Sequence, residues 1–444
     1  MNSGQAESSG RAAMMSSRGQ DIAALSAVGT PIANVPRVLV VTARRWLTTT
    51  RLALELSESG FSVHALCPAG HSLAHVSFVS SIYRYNALRP LRSLRKAIEG
   101  SRPDLLIPAD EDTVAQLHRL YAATEPINLT AEKLRSLIQR SLGDPELFPI
   151  FHARDKIASL AQALGVTFPA SAPICNEADL QRKLEIIGFP AVLKTDGSLG
   201  GWGVAIVRSS TDAKRAFRKF SAPPGVLRTL KRLLIDRDAN LVMQCLLRRC
   251  PSVSIQAFIC GQLANAAVAC WKGHVLANVI VEVLATRYAN GPATVVNVIA
   301  HAEVSEAITL MTRQLNLSGL CGFDFILDPI DGRAHMIEFN PRATQTCHLV
   351  SFDGKQLLAA LAAQLHELVP TDKLAIPIRG PIALFPYAMV EDPKSPHLKN
   401  VHKDVPSQSP QLMNLARRHP ITQFVLTKFR TQSVRAIFRQ IWQS

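Results

Sequence analysis

The segment Leu320–His348, LCGFDFILDPIDGRAHMIEFNPRATQTCH, carries the pattern that decides the fold of the second half of this chain. Two apolar runs rich in β-forming residues, Cys321–Leu327 and Ala334–Phe339, flank the turn sequence Pro329-Ile330-Asp331-Gly332. Apolar runs around a turn rich in Pro, Asp and Gly are typical of a β-hairpin. The segment is therefore predicted to form two antiparallel strands.

Alternation of side chains along the second strand separates its polar residues from its apolar ones. Glu338, Asn340 and Arg342 fall on one face, and Ile337 and Phe339 fall on the other. The polar face of this strand thus presents a carboxylate, an amide and a guanidinium in a row.

The register of the hairpin decides whether a second carboxylate joins this face. A pairing centred on Asp331 sets Asp324 directly opposite Glu338, and it requires an odd-membered loop. Two carboxylates and an amide oxygen are the hard ligands that suit Mg²⁺ when the ion also holds phosphate oxygens. The alternative is a surface hairpin with a polar outer face, and the rest of the chain must distinguish the two.

The composition indicates a folded, reduced, multi-domain protein. The chain has 444 residues, which suggests two or three domains, and 47% of them are hydrophobic, which is enough for a substantial core. The eight cysteines are scattered, without a CxxC pair or a Cys/His zinc spacing, as expected for reduced thiols. No apolar run approaches the roughly 20 residues of a membrane span, and no secretory signal is recognisable. We therefore expect a cytoplasmic protein.

The net charge of +15 is compatible with a nucleic-acid partner. However, the lysines and arginines are spread along the chain, aromatic residues make up only 6%, and no helix-turn-helix, zinc-finger or RNP-like pattern occurs. The sequence therefore favours an anionic small-molecule substrate and no nucleic acid.

The N-terminal part is predicted to form an α/β unit. Residues 1–34 are rich in Ser, Gly and Ala and are expected to be a disordered tail. Residues 37–42 form a strand, a helix ends near Gly60, and residues 61–67 form a second strand, which together favour a parallel sheet. The turn at residues 43–46 contains no glycine, so the GxGxxG dinucleotide fingerprint is absent.

A cluster of acidic residues follows the predicted strand at residues 104–107. The sequence Pro108-Ala109-Asp110-Glu111-Asp112-Thr113 lies at the carboxyl end of that strand, where open α/β sheets bind ligands. Asp112 or Thr113 could equally be the cap of the helix that follows.

A glycine-rich loop lies between two further predicted strands. Lys194 ends the first strand, residues 197–203 contain four glycines, and residues 204–207 form the next strand. The backbone amides of such a loop can approach phosphate oxygens closely, and a neighbouring lysine adds positive charge. The alternative is a flexible hairpin tip with a surface lysine. The spacing is not that of a Walker A loop.

The remaining predicted elements segregate strands from helices, which is typical of α+β subdomains. The predicted strands are residues 241–247, 252–259, 263–269 and 275–283, and the predicted helices are residues 301–315 and 355–368.

Several motifs in this order, including GFPAVLKTDGSLGGWGV, LVMQCLL, GFDFIL and IEFNPR, are similar to those of the ATP-grasp superfamily, in its carbamoyl-phosphate-synthetase and carboxylate–amine ligase branch. The resemblance covers roughly residues 36–390. It implies an α/β N-terminal domain, an α+β ATP-grasp domain whose two subdomains sandwich ATP, and a C-terminal helical tail. The implied segments are a tail at 1–34, a Rossmann-like domain at 35–150, an ATP-grasp domain at 151–390 with its lid at about 185–245, and a basic extension at 391–444.

The resemblance also implies roles for individual residues. Lys156 and Lys194 would contact the ATP phosphates, and Arg342 would bind the transferred phosphoryl group or acyl phosphate. Asp324, Glu338 and Asn340 would hold Mg²⁺, as two ions with Mn²⁺ as a substitute. The implied nucleotide contacts are completed by Gly197, Ser198, Gly200, Gly201 and Gly203 of the loop and by Gln244, Cys245 and Leu247 at the adenine. Arg287, Asn290 and Gly291 would approach the substrate.

One family feature is missing from the sequence. ATP-grasp proteins of this branch carry an acidic residue for the ribose shortly after the adenine strand, whereas residues 241–255 contain no Asp or Glu. The resemblance still implies an ATP-dependent ligase that activates a carboxylate as an acyl phosphate and joins it to an amine. The alternatives are a non-catalytic nucleotide-binding or scaffold protein and a kinase that stops at phosphorylation. A homo-oligomer is compatible with each.

The C-terminal residues 411–444 contain several arginines and lysines interleaved with apolar residues, and no acidic residue. One interpretation is an amphipathic helix with weak contact to a membrane surface. The other is a helix that packs its apolar face on the body of the protein.

Overall fold

The computed structural model describes residues 35–195, 203–223, 225–226, 229–230, 242, 245–246, 248, 250–288, 291–366, 374–390, 398–406 and 409–418. Their strands form three sheets. The predicted tail at 1–34, most of the glycine-rich loop and residues 419–444 lie outside these ranges.

The first sheet is fully parallel, with the strand order β3-β2-β1-β4. Its strands are β1 (Arg37–Val41), β2 (Ser62–Cys67), β3 (Val79–Arg84) and β4 (Leu105–Pro108). The helices of this region are α1 (Leu47–Glu58), α2 (Pro90–Ser101), α3 (Glu111–Ala122) and α4 (Leu129–Leu142). The apolar sequence of β1 is buried almost throughout, as expected for a parallel strand covered on both faces. The predicted α/β N-terminal unit is confirmed.

The second sheet is antiparallel, with the order β5-β8-β6-β7. Its strands are β5 (Ser171–Ile174), β6 (Ala191–Thr195), β7 (Val204–Val207) and β8 (Val253–Ala257), so that β5 and β8 lie outside the range 185–245 expected for the lid. The helices before and within this region are α5 (Phe148–Phe151), α6 (Arg154–Ala163), α7 (Glu177–Ile187) and α8 (Ser210–Ser221). Side-chain caps from Asn176 and Ser209 begin α7 and α8.

The strand predicted at residues 241–247 is not observed at the positions that the structure describes. Val242, Cys245 and Leu246 are helical. The run contains leucine, methionine and glutamine, which favour helices, and a short apolar run does not by itself distinguish a strand from a helix. Gln244 and Leu247 lie outside the described residues.

The third sheet has seven strands in the order β13-β12-β9-β10-β11-β14-β15. They are β9 (Gln262–Trp271), β10 (His274–Thr286), β11 (Ala293–Ile299), β12 (Gly319–Leu327), β13 (Ala334–Asn340), β14 (Pro381–Ala383) and β15 (His402–Lys403). Its helices are α9 (Ala302–Gln314), α10 (Leu357–Leu365), α11 (Tyr387–Val390) and α12 (Pro410–Arg418). The described part of the C-terminal segment packs on the body, because Leu412 of α12 is buried with Leu47 and Leu54 of α1.

The predicted hairpin forms from β12 and β13, and Asp324 pairs with Glu338 as predicted. The predicted odd-membered loop is wrong, because Leu327 pairs with Ala334 and the loop between them has an even number of residues. The register is restored by a β-bulge: Phe325 pairs with Met336 and Asp324 with Glu338, which leaves Ile337 as the extra residue. The bulge also corrects the prediction that Ile337 and Phe339 share a face. Ile337 lines the same cleft as Glu338, whereas Phe339 is buried in the core.

Two of the hydrophobic cores join the first and third sheets. One core contains Leu39 and Leu106 of the parallel sheet together with Phe323 and Phe339 of the hairpin. A second core joins Val38 and Val40 to residues of β9 and β10. The second sheet has a separate core, which is formed by Leu180, Leu193, Phe217, Ile255 and their neighbours.

No helix in the described ranges is long and apolar enough to cross a membrane.

Candidate active site

A cleft of about 590 Å³ is lined by residues of the second and third sheets and by residues that follow strands β1 and β4 of the first. Val192 and Lys194 contribute from the second sheet, and Asp324 and Glu338 contribute from the third. Trp46, which follows β1, closes another part of the wall. The volume lies within the range of about 300–1,000 Å³ that small-molecule sites occupy.

Three polar residues form a row across adjacent strands on the floor of this cleft. Asp324 of β12 lies between Asn265 of β9 and Glu338 of β13 in the sheet register. The amide of Asn265 donates to Asp324 Oδ1 at 2.6 Å, and the amide of Asn340 donates to Asp324 Oδ2 at 3.2 Å. Both oxygens of Asp324 are therefore oriented by amide groups, which keeps the carboxylate facing the cleft.

The two carboxylates have opposite pKa shifts. Burial raises the pKa of Asp324 to about 6, and the neighbouring charge of Glu338 adds to this effect. Burial alone would also raise the pKa of Glu338, but Arg154 and Lys194 hold it below its ordinary value. Arg154 Nη2 donates to Glu338 Oε1 at 2.9 Å. The pair thus concentrates negative charge that nearby cations partly compensate.

Lys194 reaches the hairpin through the β-bulge. Its Nζ donates to the backbone oxygen of Ile337 at 3.1 Å, at the residue that the bulge leaves without a partner in the β12 ladder. Burial lowers the pKa of Lys194, and the negative charge of Glu338 opposes this shift. The bulge therefore places a buried ammonium beside the two carboxylates.

Arg342 connects the hairpin to the acidic sequence after β4. Its Nε donates to Glu111 Oε1 at 2.6 Å, and its Nη2 donates to Asn340 Oδ1 at 3.3 Å. Arg44 pairs with Asp112, so two of the three acids after β4 hold arginines at the cleft.

The third acid, Asp110, is the cap of helix α3, because its Oδ1 accepts from the backbone N–H of Thr113 at 2.9 Å. The expected cap at Asp112 or Thr113 is therefore wrong. Burial raises the pKa of Asp110 to about 6.

The side chains of the hairpin at this cleft fit a divalent cation. Asp324, Glu338 and Asn340 present hard oxygen ligands, and Mg²⁺ commonly takes one or two carboxylates together with substrate phosphates. Burial and the charge of Glu338 raise the pKa of Asp324, and a bound cation would oppose this shift. Within the described part of the chain, no group of three or more His, Cys, Asp or Glu side chains is arranged to hold a metal ion. A cation here would rest on the two carboxylates and the amide oxygen of Asn340.

Most of the described residues that the sequence singled out meet at this cleft. Lys194, Arg287, Gly291, Asp324, Glu338, Asn340 and Arg342 all line it. Lys156 is exposed and does not line it, whereas Arg154 at the first turn of the same helix does. Cys245 lies in a helical turn and is also absent from the lining, and Gly203 accepts a backbone hydrogen bond from Thr195. Gly197, Ser198, Gly200, Gly201, Gln244, Leu247 and Asn290 lie outside the described residues.

Sequence analysis did not identify Arg154, Asn265 or Arg44 as site residues. Arg154 lies two residues before Lys156, which the resemblance singled out, so its position offered a signal. Asn265 gave none, because only the pairing of β9 with β12 brings it to Asp324.

Comparison with known proteins agrees with this architecture. No family model matches the chain. The arginine-specific large chain of carbamoyl phosphate synthase from Bacillus subtilis is 25% identical over 229 residues, which is 51% of this chain and 21% of that protein. The chain thus spans about a fifth of the length of that relative.

Two solved structures share the fold. An N5-carboxyaminoimidazole ribonucleotide synthetase in complex with ADP has a TM-score of 0.56 at 15% identity, over 78% of this chain and 80% of that one. The biotin carboxylase domain of the Hydrogenobacter thermophilus 2-oxoglutarate carboxylase, in complex with MgADP and bicarbonate, has a TM-score of 0.53 at 14% identity, over 78% and 73%. Both are ATP-grasp proteins, and their similarity to this chain extends over more than three quarters of its length. The chain therefore has the fold of these proteins, and over about half of its length it is similar to the carbamoyl phosphate synthase large chain.

Proposed function

We propose that this protein is an ATP-dependent ligase that activates a carboxylate as an acyl phosphate and joins it to an amine. The observation that carries the proposal is the set of Asp324, Glu338, Lys194 and Arg342 on the wall of one cleft. Phosphoryl transfer requires positioned positive charge and a metal site more than it requires covalent chemistry by the protein. The ADP and MgADP in the two structural neighbours support a nucleotide in this cleft.

The charged side chains in the cleft suit both the nucleotide phosphates and the acceptor carboxylate. Asp324, Glu338 and Asn340 would hold Mg²⁺, which would supply positive charge to stabilise the phosphate oxygens. Lys194, which is held at the β-bulge, would direct its ammonium toward the nucleotide phosphates. Arg154 would give up part of its contact with the Glu338 carboxylate when the cation binds.

Arg342 would act at the acceptor end of the cleft. Held by Glu111 and Asn340, its guanidinium offers remaining N–H groups to an anionic carboxylate or acyl phosphate. A carboxylate oxygen attacks the γ-phosphorus, the bond to the β–γ bridging oxygen breaks, and ADP leaves. The amine then attacks the acyl carbon, phosphate leaves, and the amine proton passes to solvent. Arg287 and Gly291 at the rim would contact the substrate.

The decisive experiment measures ADP release by the purified protein with Mg-ATP and pools of carboxylates and amines. We expect release that depends on a carboxylate and an amine, and formation of an amide. Glu338→Gln keeps the shape of the side chain but removes its charge, so ADP release should fall by about 100-fold or more, which corresponds to about 2.7 kcal/mol in the barrier.

Asp331→Asn is the matched control, because Asp331 lies exposed in the hairpin turn beside Arg333. This variant should keep the wild-type rate. Equal rates for Glu338→Gln and wild type would refute the ligase assignment. A stable phosphate ester in place of an amide would identify a kinase, and nucleotide binding without turnover on any substrate would identify a non-catalytic binding protein.

A further inference from the structure

A second cleft lies on the other side of the turn that follows β1. Its volume is about 820 Å³. Successive residues of the turn serve the two clefts alternately: Arg44 and Trp46 line the nucleotide cleft, whereas Ala43 and Arg45 line the second one. The rest of its lining follows the carboxyl ends of β2 and β3 and the start of α2. It thus occupies the edge of a parallel sheet where α/β proteins bind ligands.

The second cleft is strongly basic. Its lining includes five cationic side chains, and none of the described residues that line it carries a carboxylate. The five are Arg45, Arg84, Arg89, Arg92 and Lys96.

The last four of these cations are exposed, and within the described ranges their side chains make no hydrogen bond or ion pair. Arg45 is anchored, because its guanidinium donates to the backbone oxygen of Ala69. The cleft therefore combines one fixed cation with four that remain available to a ligand.

A cleft that is lined by cations and by no carboxylate favours the binding of a compact anion. A cleft lined by one sign of charge raises the local concentration of oppositely charged ligands. Arginine binds phosphate oxygens in a bidentate manner, and four arginines supply several such pairs. Tyr85 adds a rigid wall, because it is buried and its hydroxyl is bonded to Gln116 at 2.6 Å. We propose that this cleft binds a small molecule carrying one or more phosphate groups, in addition to the nucleotide of the first cleft.

The test is isothermal titration calorimetry of the full chain with inorganic pyrophosphate. The variant Arg92→Gln/Lys96→Gln removes two cations from the cleft on one exposed turn of α2. Because the variant removes two charge-assisted contacts to the phosphate oxygens, we expect the dissociation constant to rise by at least about tenfold. Lys133→Gln/Arg140→Gln is the matched control, since it removes the same charges from the exposed face of α4, away from the cleft. It should bind pyrophosphate as the wild type does.

Further binding measurements distinguish this site from the nucleotide cleft and from a surface that binds nucleic acid. Lys194→Gln should retain the pyrophosphate binding that Arg92→Gln/Lys96→Gln loses, whether or not the protein proves to be a ligase, because the readout is binding alone. The proposal is overturned if both double variants weaken binding equally, if only Lys194→Gln abolishes it, or if the wild type shows none. It is also overturned if single-stranded DNA binds more tightly with each increase in length and pyrophosphate does not displace it.

Discussion

At the scale of single residues, Asp404 has the clearest energetic role outside the cleft. It is buried, and its Oδ2 contacts His348 Nε2 at 2.7 Å while Arg51 Nη2 donates to its Oδ1 at 3.2 Å. Burial would raise the pKa of Asp404, but His348 and Arg51 hold it well below its ordinary value. The ionised carboxylate thus ties residues 398–406 to the end of the hairpin segment and to helix α1.

We expect Asp404→Asn to lower the free energy of unfolding at pH 7 by about 3 kcal/mol, because a buried ion network loses one partner. Since the pKa is depressed in the folded state, the stabilisation is present above the unfolded value of about 3.9 and disappears as the pH falls through the folded value. Denaturant titrations should therefore show the difference from wild type shrinking below about pH 4. Asp353→Asn, at a 59% exposed side chain, is the control. A difference that stays constant down to pH 3 would contradict this account.

At the scale of elements, the β-bulge at Ile337 supplies the backbone carbonyl that holds Lys194 at the cleft. Deleting Ile337 would leave Asp324 paired with Glu338 on the cleft face, but it would remove the extra residue and the carbonyl that accepts from Lys194. We expect this variant to lose nucleotide binding and to unfold at a lower temperature. Calorimetric titration with Mg-ADP and a thermal melt would measure both.

Deleting Ile330 instead provides the control for the bulge. Ile330 is 93% exposed in the hairpin turn, so its removal shortens the loop without changing the faces of either strand. It should bind nucleotide as the wild type does. The bulge would have no such role if the two deletions behaved alike.

The hairpin also shows how far the sequence could predict the site. Asp324, Glu338, Asn340 and Arg342 could be placed together because alternation within two contiguous strands is a local property. The bulge could not be predicted, since the carbonyl at its centre is held by Lys194, which lies 143 residues away. Arg154 is 184 residues from Glu338, and Asn265 is 59 from Asp324, so tertiary packing alone brings them to the cleft.

At the scale of the whole molecule, the hydrophobic cores separate the second sheet from the other two. The first and third sheets share two cores, so they must gain and lose their structure together. The second sheet packs around its own core, whose members all come from its own strands and helices. Segments with separate cores can unfold locally at a free-energy cost below that of global unfolding. This independence is the property that a subdomain closing over a nucleotide requires.

Hydrogen exchange with mass spectrometry tests this independence through one variant in each core. Leu180 is fully buried in the core of the second sheet, and Phe323 is fully buried in the core shared by the other two. Leu180→Ala should cost about 2–5 kcal/mol locally and accelerate exchange across residues 171–195 and 250–257, while β9 and β12 keep their protection. Phe323→Ala should instead accelerate exchange in β1, β9 and β12 together. If Leu180→Ala reduced protection in β9 as much as in β6, the second sheet would belong to the same cooperative unit, and closure would have to involve the entire molecule rather than this sheet alone.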